Sequence, residues 1–112
     1  MRYAMVIVTE EEPGPRSEAE REFDSLVRWW ADLRGRGKIV ASARLAPPRT
    51  ASTVSWRDRE PVVTDGPYVE AKEAVGGFVV VEVDSEVEAL EIARSWPGRP
   101  GMRVEVRQVL SF

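Results

Sequence analysis

The chain has 112 residues, 16 basic and 19 acidic, with a net charge of −3 and neither cysteine nor histidine. That length suits one domain, 1–112, with a real core, and the charge offers no basic face for direct nucleic-acid binding. Without Cys and His there are no disulfides, thiolate nucleophiles, Cys/His metal centres or imidazole bases, so no metal or other cofactor is expected.

Met1 leads directly into "RYAMVIVT", without the charged n-region and long apolar h-region of a signal peptide. No segment approaches the roughly 20 apolar residues of a membrane span, so a cytoplasmic location is expected. Residues 2–9 read as a strand with Tyr3, Met5 and Ile7 on one face and Ala4, Val6 and Val8 on the other. Apolar side chains on both faces point to a central strand. After the Pro/Gly-rich "EEEPGPR", Ser17 and Glu20 form a capping box that starts a helix. Ala19, Phe23, Leu26, Trp30 and Leu33 make its apolar stripe, flanked by Val27 and Trp29, and Gly35 and Gly37 end it.

"KIVASARLA", residues 38–46, reads as a second strand, with Ile39, Ala41, Ala43 and Leu45 opposite Val40, Ser42 and Arg44. "TASTVSW" and "PVVT" flank "RDRE" as a hairpin. Residues 77–83 form the next strand, with Phe78 and Val80 opposite Val79, Val81 and Val83. A second helix follows, capped by Ser85 and Glu88, and its expected inward residues are Ala89, Leu90, Ala93 and Trp96. In the last strand Met102, Val104 and Val106 alternate cleanly with Arg103, Glu105 and Arg107.

Setting the hairpin aside, the order is βαββαβ, an α+β ferredoxin-like arrangement with an inserted β-hairpin. Its first and third core strands are central, and these are the two with apolar residues on both faces. Right-handed crossovers put both helices on one side of the sheet. The other side keeps an apolar face, which a second copy of the chain can cover about a two-fold axis. The expected partner is therefore the chain itself, as a homodimer through the sheet face.

"VVTDGPYVEAKEAVGGFVVVEV", residues 62–83, is the densest stretch. An ordinary Asx-turn would have Asp65 accept from the residue two positions on, but that residue is Pro67, which has no N–H. Asp65 either caps a short helical turn in "YVEAKEA", accepting from Tyr68 or Val69, or serves as a carboxylate at a strand end beside a cleft. Gly66 permits unusual backbone angles, Pro67 suits a first helical turn, and Gly76-Gly77 permits a bend or close backbone approach.

Asp65, Gly66, Pro67 and Tyr68, then Glu70, Lys72 and Glu73, then Gly76, Gly77 and Phe78 closely resemble the signature of the DGPF-domain proteins of the YCII-like group. Tyr68 stands where Phe is commoner. The resemblance extends over nearly the whole chain, from "MRYAMVIV" through "APPRTASTVSW" and "EALEIARSWP" to "VEVRQV". It implies a ferredoxin-like fold paired into a dimeric α+β barrel, in bacterial proteins some of which accompany extracytoplasmic-function sigma factors. In the wider group a His–Asp pair has been suggested as catalytic; the resemblance puts Asp65 at the acid position, and this chain has no histidine to partner it.

Arg44 is either a solvated edge residue or an anion-holding group, with Asp65 as an alternative partner. Lys72 is either paired with Glu70 and Glu73 or desolvated enough to act as a base. Tyr3 and Tyr68 each offer packing area or a phenol. Trp30 and Trp96 read as core, while Trp29 and Trp56 suit a pocket wall or a dimer rim. The leading reading is a small-molecule or enzyme-like cleft lined near Asp65, Arg44, Tyr68 and Lys72. The alternative is a non-catalytic regulatory or interaction module linked to transcription.

Overall fold

The structure, a computed structural model, describes residues 1–10, 16–67 and 73–111. Its elements in chain order are β1 (Arg2–Glu10), α1 (Arg16–Gly35), β2 (Ile39–Arg44), a 3-10 turn (Pro48–Thr50), β3 (Ser52–Arg57), β4 (Glu60–Asp65), β5 (Glu73–Glu82), α2 (Glu86–Arg94) and β6 (Arg103–Gln108). Four strands form an antiparallel sheet in the order β2-β5-β1-β6, and β3 and β4 form a separate hairpin. The architecture is α+β and consistent with the ferredoxin-like arrangement.

The core lies between the sheet and the two helices. Tyr3, Met5 and Ile7 of β1 and Val79 and Val81 of β5, with Val83 just beyond, meet Trp29 and Leu33 of α1 and Ala89 and Ile92 of α2. Met5 and Val81 are fully buried. Side chains of this size contribute roughly 1.5–3 kcal/mol each when fully removed from water. Val104 and Val106 pack against this cluster from the edge strand, as the alternation in β6 predicts.

Helix α2 begins as its sequence dictates. The Ser85 hydroxyl accepts from the Glu88 N–H at 3.2 Å, and the Glu88 carboxylate accepts from the Asp84 N–H at 3.1 Å. The corresponding Ser17 cap of α1 lies outside the described side chains.

Four expectations need correction. Along α1 the deepest aromatic is Trp29, while Trp30 is half-buried and Phe23 is 45% exposed. The helix presents the 26-29-30-33 stripe to the sheet. In α2 Ile92 is buried and Leu90 is 45% exposed, because the inward stripe is Ala89-Ile92-Ala93-Trp96. In β2 a bulge between Ile39 and Ala41 interrupts the alternation. Ile39 pairs opposite Val81 and Ser42 opposite Val79, so Ile39, Ser42 and Arg44 share the helix-facing side, with Ala41 and Ala43 on the other. Finally, β5 starts at Glu73, with Ala74 opposite Thr9, so residues 73 and 74 of the expected helical turn are extended. The remainder of that turn, 68–72, lies outside the described residues.

Gly77 is required by packing. A Cβ there would sit 2.6 Å from the Ala43 carbonyl oxygen of the neighbouring strand. Its neighbour Gly76 falls at a second bulge, where the register skips between Ile7 and Val8.

Away from the helices, Val6, Phe78 and Val80 continue an apolar surface across the two central strands, with Phe78 37% exposed. On β6 the residues opposite this surface are Arg103, Glu105 and Arg107. The molecule measures 46 × 42 × 20 Å, and its radius of gyration is 16.0 Å. A compact chain of this length has a radius near ~13 Å, so the shape is a thin plate. The hairpin joins no strand of the main sheet.

Candidate functional site

A cleft of about 570 Å³ opens between α1 and the helix-facing side of the sheet. One wall is Phe23, Leu26, Val27, Trp29 and Trp30 from α1. Ile7 and Thr9 of β1, Ser42 and Arg44 of β2, and Gly76 and Gly77 of β5 form the sheet side, and Trp96 and Met102 close one end. The volume and the mixture of many aromatic groups with few polar ones are those of a small-molecule site.

The β2 bulge supplies the polar groups. By rotating the strand one residue, it turns Ser42 and Arg44 towards α1. Trp30 Nε1–H donates to Ser42 Oγ at 2.9 Å, which leaves the serine's own proton available as a donor. The Arg44 guanidinium lies 4.8 Å from the centre of the Phe23 ring. Such a contact is worth about 0.5–1 kcal/mol at an exposed site and leaves the N–H fork open at its edges. Among the described residues no carboxylate pairs with Arg44, and none lines the cleft.

The aromatic wall is held rigidly. Trp29 Nε1–H donates to Ser95 Oγ at 2.8 Å, and Ser95 Oγ donates on to the Ile92 carbonyl at 2.6 Å. Trp29 meets Trp96 edge to face, with centroids 5.0 Å apart and planes at 79°. On the outer side the Arg34 guanidinium covers the Trp30 ring at 4.9 Å. The Trp96 indole N–H is buried and has no hydrogen-bond partner among the described residues.

A second cavity, of about 610 Å³, lies beside α2 and β6 and includes Leu90, Arg94, Trp96 and Val104. Glu91 is also on its lining, so its cations are offset locally. The α1 cleft is the better site, because among the described residues its cation converges with two hydroxyls and no acid opposes it.

The structure brings Arg44, Gly76 and Gly77 together in this cleft. Asp65 stands elsewhere: it ends β4 opposite Ser52, exposed, and is absent from the cleft lining. Gly66 follows with φ +93°, a conformation that favours glycine. Its N–H donates to the Ala51 carbonyl at 2.7 Å, and its own carbonyl accepts from Thr53 Oγ1 at 2.6 Å. Asp65-Gly66-Pro67 thus closes the base of the hairpin. Tyr68, Lys72, Glu70 and the N–H groups offered to an Asp65 cap lie outside the described residues. Tyr3 is buried in the core, and Trp56 is 69% exposed on the hairpin.

Sequence reasoning missed Ser42 and Thr9 as cleft groups and Trp96 as a shared wall. The adjacent pair Trp29-Trp30 was the available signal. Two indoles about 100° apart on a helix must face different environments, and here one anchors the core while the other reaches the sheet edge.

The Glu88 carboxyl is held below its ordinary value, first by its hydrogen bond with Lys38 and then by the Asp84 N–H.

A thin α+β plate, consistent with the ferredoxin-like arrangement, with a helix–sheet cleft and a hairpin inserted between the second and third core strands defines the class of this protein. The chain matches the YCII-related domain over residues 1–112 and belongs to that family. It is also similar to an uncharacterized protein of Rhizobium meliloti (strain 1021), at 41% identity over 58 residues. That match takes in 52% of this chain and 47% of the relative, so it spans about half of each. Among the described residues no helix is long and apolar enough to cross a membrane.

Proposed function

We propose that this YCII-related protein binds a small molecule in the cleft between α1 and the sheet, and that it works in the cytoplasm as a homodimer through the open sheet face. One observation carries the binding reading: Arg44 and two hydroxyls converge on an aromatic cavity that, among the described residues, contains no acid. Pocket geometry of this kind, mostly apolar with a few convergent polar groups, is the ordinary form of a ligand site. The pairing reading rests on the plate's 20 Å thickness, which accommodates one helix layer and one sheet. A second sheet packed face to face about 10 Å away would complete a dimeric α+β barrel. In this reading Asp65 acts from the base of the hairpin, outside the described cleft lining, and Tyr68 and Lys72 follow it in sequence before β5.

A fragment screen followed through the indole N–H resonances tests the binding reading. Ligands should shift Trp29, Trp30 and Trp96 while Trp56 stays unmoved, and Val27→Trp, which fills the cleft from α1, should abolish the shifts. A screen that moves only Trp56 would redirect the search to the hairpin. Light scattering tests the pairing: a monomer at tens of micromolar would overturn it.

The hairpin favours a second reading, a regulatory or interaction module. Val54 lies opposite Val63 and Trp56 opposite Pro61. All four are exposed on one face of a two-stranded ribbon, an arrangement suited to gripping another chain.

A further inference from the structure

The binding reading leaves the ligand's chemistry open, and two features of the cleft narrow it. Arg44 presents a planar guanidinium fork that accommodates carboxylate geometry and carries its charge at all ordinary pH. Its only described contact is the Phe23 ring, which shields one face and leaves the in-plane N–H groups available. Ser42, beside it on the same face of β2, has a hydroxyl proton to give. The second feature is the indole wall of Trp29, Trp30 and Trp96. Trp29 and Trp30 have given their N–H groups to Ser95 and Ser42, and the Trp96 N–H is buried, so the wall offers ring surface rather than donors. The cleft therefore has a cation on its sheet side and an aromatic wall beside it.

Resting on the binding reading, we infer that the cleft takes a planar aromatic carboxylate. The carboxylate lies in the Arg44 fork with support from Ser42, and the ring lies along the indole wall. A cation is disfavoured by Arg44, and a purely apolar ring would leave the guanidinium fork unmet. A cleft of about 570 Å³ accommodates a bicyclic ring system.

Calorimetric titration of the protein with 2-naphthoate and neutral 2-naphthamide tests this. The naphthoate should bind at least tenfold more tightly than the amide. Arg44→Gln should remove that preference, and Arg44→Lys should retain part of it. Equal binding of carboxylate and amide overturns the anion assignment. The parent reading is judged separately. If neither compound binds while other neutral or cationic ring compounds shift the cleft indoles, the carboxylate inference fails and the cleft stands. If no compound shifts those indoles, or if Val27→Trp leaves binding intact, the cleft reading fails as well.

Discussion

The β1–β5 pair and the β3–β4 hairpin are both antiparallel ribbons rich in valine and aromatic residues, yet they have opposite fates. In the first, Met5 and Val81 are wholly buried; in the second, Val63 is 68% and Trp56 is 69% exposed. Strand chemistry is similar in both. What differs is cover: each core strand lies beneath a crossover helix, and the hairpin has none. A lone two-stranded ribbon is marginal in water, so this one depends on its base, where Gly66 locks onto Ala51 and Thr53, and on its tip. There Asp58 and Arg59 both take positive φ, as the two-residue turns that follow strand twist require. Strand propensity makes a ribbon, and burial makes it core.

Substitution at the covered ribbon should show the largest effect. Met5→Ala removes a fully buried side chain and should destabilise the protein by about 2–5 kcal/mol, measured by urea unfolding. The glycine pair inside β5 sharpens the point. Gly77→Ala drives a Cβ into the Ala43 carbonyl and should cost about 1–3 kcal/mol. Gly76→Ala meets only Thr9 at 3.6 Å and should be far milder. Equal costs would mean that strand crossing at Gly77 is looser than its geometry implies.

At the uncovered ribbon, Trp56→Ser should change the stability of an isolated chain by less than about 1 kcal/mol, the scale of one cross-strand pair. If the hairpin face grips a second copy, the same substitution should weaken self-association in sedimentation at micromolar concentration. A large loss of chain stability would mean that the hairpin is packed against its own domain.

The smallest effect should come from Glu88. Its carboxyl has a lower pKa folded than unfolded, so its contribution is present at neutral pH. That contribution declines as the pH falls from the ordinary carboxylate range through the folded value. Glu88→Gln keeps an oxygen for the Asp84 N–H but loses the charge facing Lys38. It should therefore be slightly less stable than wild type at pH 7, with the difference vanishing in acid, as read from thermal unfolding across pH 2.5–7.

Local chemistry was enough to determine several parts of this protein. The Ser85–Glu88 cap, the two-faced central strands, the alternating edge strand and the hairpin turn all follow from contacts a few residues apart or from the period of the chain. These features, with the Asp-Gly-Pro and Gly-Gly motifs, led from sequence to the α+β class and to the family. The bulge in β2 was decided elsewhere. Nothing in "IVASAR" marks Val40 as the extra residue; pairing with β5 selects it, and that choice turns Ser42 and Arg44 towards α1. The depth of Trp29 over Trp30 likewise depends on where α1 crosses the sheet, a rotation of one residue that the helical period leaves open. The cleft is the joint product of that register shift and that helix rotation. Both are settled by close packing between segments distant in sequence, so only the folded chain could assemble Arg44, Ser42 and the three indoles in one place.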